Sequence, residues 1–241
     1  MMWQGLPDGA RAADEAACKR LDLLRATAAS LRATAALEVA AMLALLLSFI
    51  WVWQEAFPGD ALLVVFLYFA LGLSSHLRRG ESAREIGLTL HNWWPAARNA
   101  AGVVAFGIAL PLGWGIAHGT LHFDPAPRWL ASLPFHMIWG TAQQYGLVCF
   151  FYRRLHEGFG GPRAATLGAA TIFAICHLPN PFLVGVTFAA GLVSCTLYRR
   201  EPNVFVLGVA HGLISLTLFG ALPFSLTHDL HVGPGYYTAT G

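Results

Sequence analysis

Charge is the scarcest commodity in this chain. Asp, Glu, Lys and Arg make up 12% of its 241 residues, about half the usual globular share. Hydrophobic residues make up 56%, and mean hydropathy is +0.55. So little charge excludes a disordered chain and a nucleic-acid binder. So much apolar surface excludes an ordinary soluble enzyme, because a domain of this size has no way to hide it from water. Cysteine is also sparse. Cys18, Cys149, Cys176 and Cys195 show no CxxC-type metal spacing, and a disulfide framework is not expected. There is no internal repeat and no low-complexity stretch.

The places where charge is missing define the architecture. No Asp, Glu, Lys or Arg occurs at 39–54, 61–77, 99–123, 129–152, 164–198 or 203–228. A spanning helix needs about 20 apolar residues. The stretch 164–198 is too long for one span and is broken by Leu178-Pro179-Asn180-Pro181, a helix stop. The pattern predicts an all-α, polytopic transmembrane bundle of about seven spans near 34–56, 60–77, 98–118, 130–152, 164–178, 182–198 and 203–222. With the N-terminus inside, fourteen of the fifteen basic residues fall on the inner side, and only Arg128 falls outside. That partition obeys the positive-inside rule and predicts a cytoplasmic N-terminus and an extracytoplasmic C-terminus. Residues 1–33 lack the continuous apolar core of a signal peptide. Ala10, Ala13, Ala17, Leu21, Leu24, Ala28 and Leu31 recur at helical spacing, which predicts an amphipathic cytoplasmic helix on the membrane surface or under the bundle. The bundle then occupies 34–222 and an extracytoplasmic tail 223–241. Trp93 and Trp94 suit an interface belt.

Polar side chains within the spans are few, and each carries a penalty unless satisfied. His76 and His118 fall at span ends and are expected at the interface. Asn180 and Asn203 sit beside prolines at helix boundaries, where capping explains them. Gln143 and Gln144 lie in the middle of the fourth span. His136, seven residues earlier, shares a face with Gln143. His177 closes the fifth span. His211 lies inside Gly208-Val209-Ala210-His211-Gly212, a small-xxx-small pattern that lets helices approach closely. Interhelical hydrogen bonding alone would explain these residues, each contributing about 1 kcal/mol.

At these residues the sequence resembles the CAAX-protease and bacteriocin-processing (CPBP, or Abi) family of membrane proteins. Its prenyl-protein endopeptidases are glutamate-type intramembrane proteases with three motifs on successive core helices: EExxxR, FxxxH, and a His followed four residues later by Asn. The second is complete as Phe173-Ala174-Ile175-Cys176-His177, followed by Leu178-Pro179. The third appears as His211-Gly212-Leu213-Ile214-Ser215, with Ser in place of Asn. The first aligns at Gln143-Gln144-Tyr145-Gly146-Leu147-Val148, its register set by the trailing Arg153-Arg154-Leu155. Ile86-Gly87-Leu88 is similar to a short Gly-Leu element preceding the core. The resemblance covers 129–220 and implies a peptidase-like site at Gln143, Gln144, His177 and His211.

The departures matter chemically. Both glutamates of the first motif are Gln here, and its Arg is Val148. The family's glutamate is thought to activate water with help from histidine, which is general-base catalysis. A carboxamide has no usable basicity near neutral pH, although it can orient water or a peptide group. No Asp or Glu lies in any core span. Glu38, Asp124, Glu157 and Asp229 fall near an interface, and only Asp124 and Asp229 lie on loops able to fold inward from outside. The remaining chemistry is histidine's. His177 or His211 can serve as base, or His136, His177 and His211 can converge on zinc with water as the fourth ligand. A nucleophile at Cys176 or Cys149 has no evident helper.

Two functions follow. One is a membrane endopeptidase that processes a peptide or protein at the bilayer through a noncanonical or impaired hydrolytic site. The other is an inactive pseudoprotease that binds a peptide, lipid or partner protein in the same cavity. A transporter is disfavoured, because no buried carboxylate is available for coupling. Expected partners are membrane lipids and a peptide substrate, with no nucleic acid. The absence of a eukaryotic retention signal and the small core favour a bacterial inner membrane.

Overall fold

The computed structural model describes residues 8–53, 56 and 61–239, and the side chains of all of these except 8–16, 18 and 24. Among the described residues every regular element is helical. Helix α1 (Asp8–Ser48) continues into a π turn (Phe49–Trp53). Then come α2 (Ala61–Arg78), α3 (Trp93–His118) and α4 (Ala126–Gln144). A π-helical segment (Tyr145–Tyr152) joins α4 to α5 (Arg153–Phe159) without a break. The core closes with α6 (Pro162–Ile175), α7 (Pro181–Arg200) and α8 (Val204–Ala221). Two short helices, α9 (Phe224–Thr227) and α10 (Gly235–Thr238), finish the chain.

Among the described residues, five helices are long and apolar enough to cross a membrane: Lys19–Trp53, α2, α3, α7 and α8. The expected fourth span is divided between α4 and the π segment. The expected fifth is the 14-residue α6, shorter than the roughly 20 residues a full crossing needs. Leu62, Phe66, Phe106, Ile116 and Ile138 point outward from the bundle, where a hydrocarbon surround would take the place of water.

Both expected asparagine caps form. Asn180 accepts from the Leu183 N–H at the start of α7, and Asn203 from the Val206 N–H at the start of α8, each satisfying one of the orphan donors of a first turn. Asn203 also donates to the Thr89 carbonyl and to Asn92. The Gly87 carbonyl accepts from Val204. Gly87 has φ +78°, and a β-carbon there would meet Pro202 and Tyr198 at 3.0 Å. The Ile86-Gly87-Leu88 element is therefore a strap holding the α7–α8 turn.

Helix α1 runs through 33/34 as one helix. The described side chains from 17 to 33 are exposed on every face, so this part does not pack under the bundle. Ala10, Ala13 and Leu24 lie outside the described side chains. The segment after 222 folds back onto the α6–α7 turn, as described below. His76, in the last turn of α2, is only 2% exposed.

His76 belongs to a buried ion network. Glu38 on α1 accepts from Ser75, Arg78 and Arg79 of α2. Arg79 Nε also donates to Glu157 on α5, at 2.7 Å. Arg154, 1% exposed, donates to Glu157 and to Glu81, and Arg153 Nη2 donates to Glu81 at 2.5 Å. His76 Nδ1 lies 2.6 Å from Glu81. Three carboxylates and four guanidinium groups thus tie α1, α2 and α5 together, so Glu38 and Glu157 are structural partners and not spare bases.

Burial pushes the Glu81 carboxyl up, but hydrogen bonds from His76 and Arg153 and the charge of Arg154 outweigh it and hold it at about 2, below the ordinary 4.5. A carboxylate depressed in the fold stabilises above its unfolded value and loses that contribution as pH falls through the folded one. Stability in detergent, followed by circular dichroism, should therefore be insensitive to Glu81 between pH 7 and about 5. It should fall as pH drops from 4.5 towards 2, and Glu81→Gln should flatten that limb.

Candidate functional site

The site grows from one close helix crossing. Helix α8 packs most extensively against α4. The contact is glycine on glycine: a β-carbon on Gly140 would lie 2.5 Å from the Gly208 carbonyl oxygen, and one on Gly212 would lie 2.7 Å from the His136 carbonyl oxygen. The small-xxx-small pattern of α8 therefore serves the close approach expected of it. His211 lies between those two glycines, and the approach brings it to Gln144.

Gln144 Nε2 sits 3.2 Å from His211 Nδ1. An amide nitrogen can only donate, so Nδ1 holds the lone pair and the ring proton resides on Nε2. Gln144 is 1% exposed, yet its Oε1 is buried with no hydrogen-bond partner among the described residues. A buried acceptor of this kind is costly unless a ligand or water supplies a donor. Gln144 is also the last α-helical residue before the π segment, and π turns of this sort are frequent at functional sites.

His177 approaches from α6. Its Nδ1 lies 2.6 Å from the Phe173 carbonyl oxygen. That oxygen can only accept, so Nδ1 carries the proton and Nε2 the lone pair. The Phe173 ring packs edge-on against His177 at 4.8 Å and His211 at 6.0 Å. The FxxxH spacing therefore does two things: it gives the histidine a backbone acceptor one turn back, and it places an aromatic wall against both imidazoles. The two rings offer complementary groups, an Nε2 lone pair on His177 and an Nε2–H on His211.

Other candidates fall away from this constellation. Gln143 is half-buried, and its amide makes no hydrogen bond among the described residues. His136 Nδ1 is engaged by the Ser132 carbonyl at 2.9 Å. Among the described residues no three His, Cys, Asp or Glu side chains are grouped to hold a metal ion, so the His136–His177–His211 zinc arrangement does not form. Cys149 is buried and its Sγ points to the Ile86 carbonyl oxygen at 2.9 Å. Cys176 is half-buried. Val148, where the family has Arg, is fully buried in the apolar core.

What the sequence did not disclose is the ion network, whose inter-helix partners lie 37 to 78 residues apart. The signal available was the grouping of Arg78, Arg79 and Glu81 after one apolar run and of Arg153, Arg154 and Glu157 after another.

No curated protein and no solved structure matches the chain. The family model described as type II CAAX prenyl endopeptidase Rce1-like matches residues 144–217, a stretch that begins at Gln144 and holds Phe173, His177 and His211. That segment is similar to the type II CAAX prenyl endopeptidase Rce1-like family, and the match extends over less than half of the chain.

Proposed function

We propose that this chain is a CAAX-endopeptidase-like membrane protein that admits a peptide between α4, α6 and α8 and hydrolyses it slowly through histidine in place of glutamate. The observation that carries this is the paired tautomers: His177 with its Nε2 lone pair available, and His211 with its Nε2–H available. His177 Nε2 takes a proton from water as the water oxygen adds to the scissile carbonyl carbon. His211 Nε2–H donates to the developing oxyanion. The leaving amine then recovers the proton from His177. Gln144 Oε1, unpartnered among the described residues, accepts from a peptide N–H and sets its register. A missing carboxylate base slows such a step by about 10²- to 10⁴-fold.

Binding without cleavage is the second reading. It is favoured by the Gln144–His211 contact itself, which occupies the His211 lone pair with a group that has no basicity of its own. In either case the protein sits in the membrane, and the charge distribution supports seven crossings with the N-terminus inside, in a bacterial inner membrane.

One comparison of protein termini across membrane and secreted fractions tests both readings. It uses wild type, a deletion, the deletion complemented with His177→Ala/His211→Ala, and the deletion complemented with Gln144→Glu. Peptide ends present in wild type and absent from the deletion and the double variant are expected, with the same ends more abundant under Gln144→Glu. Ends that persist in the double variant would overturn the site assignment. Identical termini in all four strains, alongside a growth or export phenotype in the deletion, would establish the binding reading instead.

A further inference from the structure

The segment after α8 lies outside the Rce1-like stretch and returns to the site. Asn180 follows His177 by three residues and is fully buried. Its Nδ2 donates to the Thr227 carbonyl at 2.8 Å and to the His231 carbonyl at 3.2 Å. The Leu178 carbonyl, next in the chain to His177, accepts from the Gly233 N–H at 2.9 Å. On its other side Gly233 is wedged against the end of the first helix: it has φ +58°, and a β-carbon there would lie 2.6 Å from the Ile50 carbonyl oxygen.

Between these anchors His228, Asp229 and Leu230 all adopt left-handed backbone, with φ of 49°, 49° and 59°. Three consecutive residues with side chains in that region are unfavourable and persist only where surrounding contacts over-determine them. The anchors to the 177–181 turn are those contacts. The backbone immediately after His177 is thus held twice over. Its own turn holds it from within, with the Asn180 N–H donating to the His177 carbonyl at 3.2 Å, and the returning segment holds it from outside.

We propose that residues 227–233 form a C-terminal hook that positions His177, with Asn180 and Gly233 as its positioning residues. The inference rests on the assignment of His177 to the site. The hook keeps the 177–180 turn closed, so that the imidazole stays seated on the Phe173 carbonyl in a single tautomer with the Nε2 lone pair left available. Neither Asn180 nor Gly233 touches the reacting groups; both act through His177.

The test uses the full chain in detergent micelles or nanodiscs, labelled with ¹⁵N-histidine. The His177 ring signals are identified among those of the ten histidines by their loss in His177→Ala. Asn180→Asp keeps the Oδ1 cap of α7 but removes the two donors to the hook, so it separates capping from anchoring. Gly233→Ala dislodges the hook from the opposite side, through its backbone angle and Ile50. In the native protein His177 should show one protonated-type and one lone-pair-type nitrogen. In both variants these signals should converge towards the average of exchanging tautomers, while helical circular dichroism is retained. Unchanged His177 signals in either folded variant would overturn the proposal. Loss of helical signal in both would also overturn it, because the hook would then serve the stability of the bundle and not the posture of one ring. The readout needs no peptidase activity, so it stands apart from the outcome of the termini comparison.

Discussion

Replacing Arg154 by alanine is expected to destabilise the protein by roughly 3 kcal/mol, more than any other single change in the ion network. Arg154 is its most enclosed member and, among the described residues, the only cation joining Glu81 to Glu157. Its loss leaves two largely buried carboxylates facing each other with one fewer cation. Arg153 still serves Glu81 and Arg79 still serves Glu157, which sets the expected loss at the lower end of the range for a broken buried pair. Arg154→Met combined with Glu157→Gln should lose less than Arg154→Ala alone, because no carboxylate is then left without its partner. Equilibrium unfolding in mixed detergent–SDS micelles measures both. An Arg154→Ala protein within about 1 kcal/mol of wild type would show that the network behaves like an exposed ion pair.

The second large effect is expected at the helix crossing. Gly208→Val places a branched side chain where a β-carbon would already sit 2.5 Å from the Thr141 Cα. Backbone has no rotamer to yield, so α4 and α8 must part. Overpacking of this kind costs about 1–3 kcal/mol, and here it also breaks the Gln144–His211 hydrogen bond, which gives an expected loss of about 3 kcal/mol or more. The matched control is Gly102→Ala on α3, where a β-carbon meets open space. That change should be neutral or stabilising by up to about 1 kcal/mol, because alanine is the better helix former. Any cleavage should fall in Gly208→Val as far as it does on removing His211. Full activity with the helices forced apart would mean that the Gln144–His211 contact is incidental.

The parts of this molecule that were legible beforehand share a physical character: each is written in a short stretch of chain. Asn180 and Asn203 announce their caps by standing beside prolines at the ends of apolar runs. Gly208 and Gly212 announce a close approach by their spacing alone. Gln144, His177 and His211 stand out because a polar group inside an apolar helix needs a reason. The parts that were not legible depend on the meeting of distant segments. Glu38 and Glu157 read as interfacial charges until three-dimensional packing shows them sharing Arg79. His76 reads as the end of a span, and only the return of Glu81 encloses it. The hook was invisible because its bonds run from backbone carbonyls and one glycine N–H, groups every residue carries. The zinc arrangement failed for a related reason: sequence can count three histidines, but it does not show whether their helices bring them together, and among the described residues they are not grouped.

The π segment has a consequence for how the α4–α5 rod is organised. An α-helix advances about 100° per residue, and a π turn, closing its bonds five residues back, advances less. Across Tyr145–Tyr152 the rod therefore slips in rotational phase. The face that turns Gln144 towards His211 and the face that turns Arg154 towards Glu81 need not obey a common helical repeat. One straight rod in effect carries two dials, each set to its own neighbours. A one-residue deletion inside 145–152 would then act less as a shortening than as a twist, turning one dial while the other stays still.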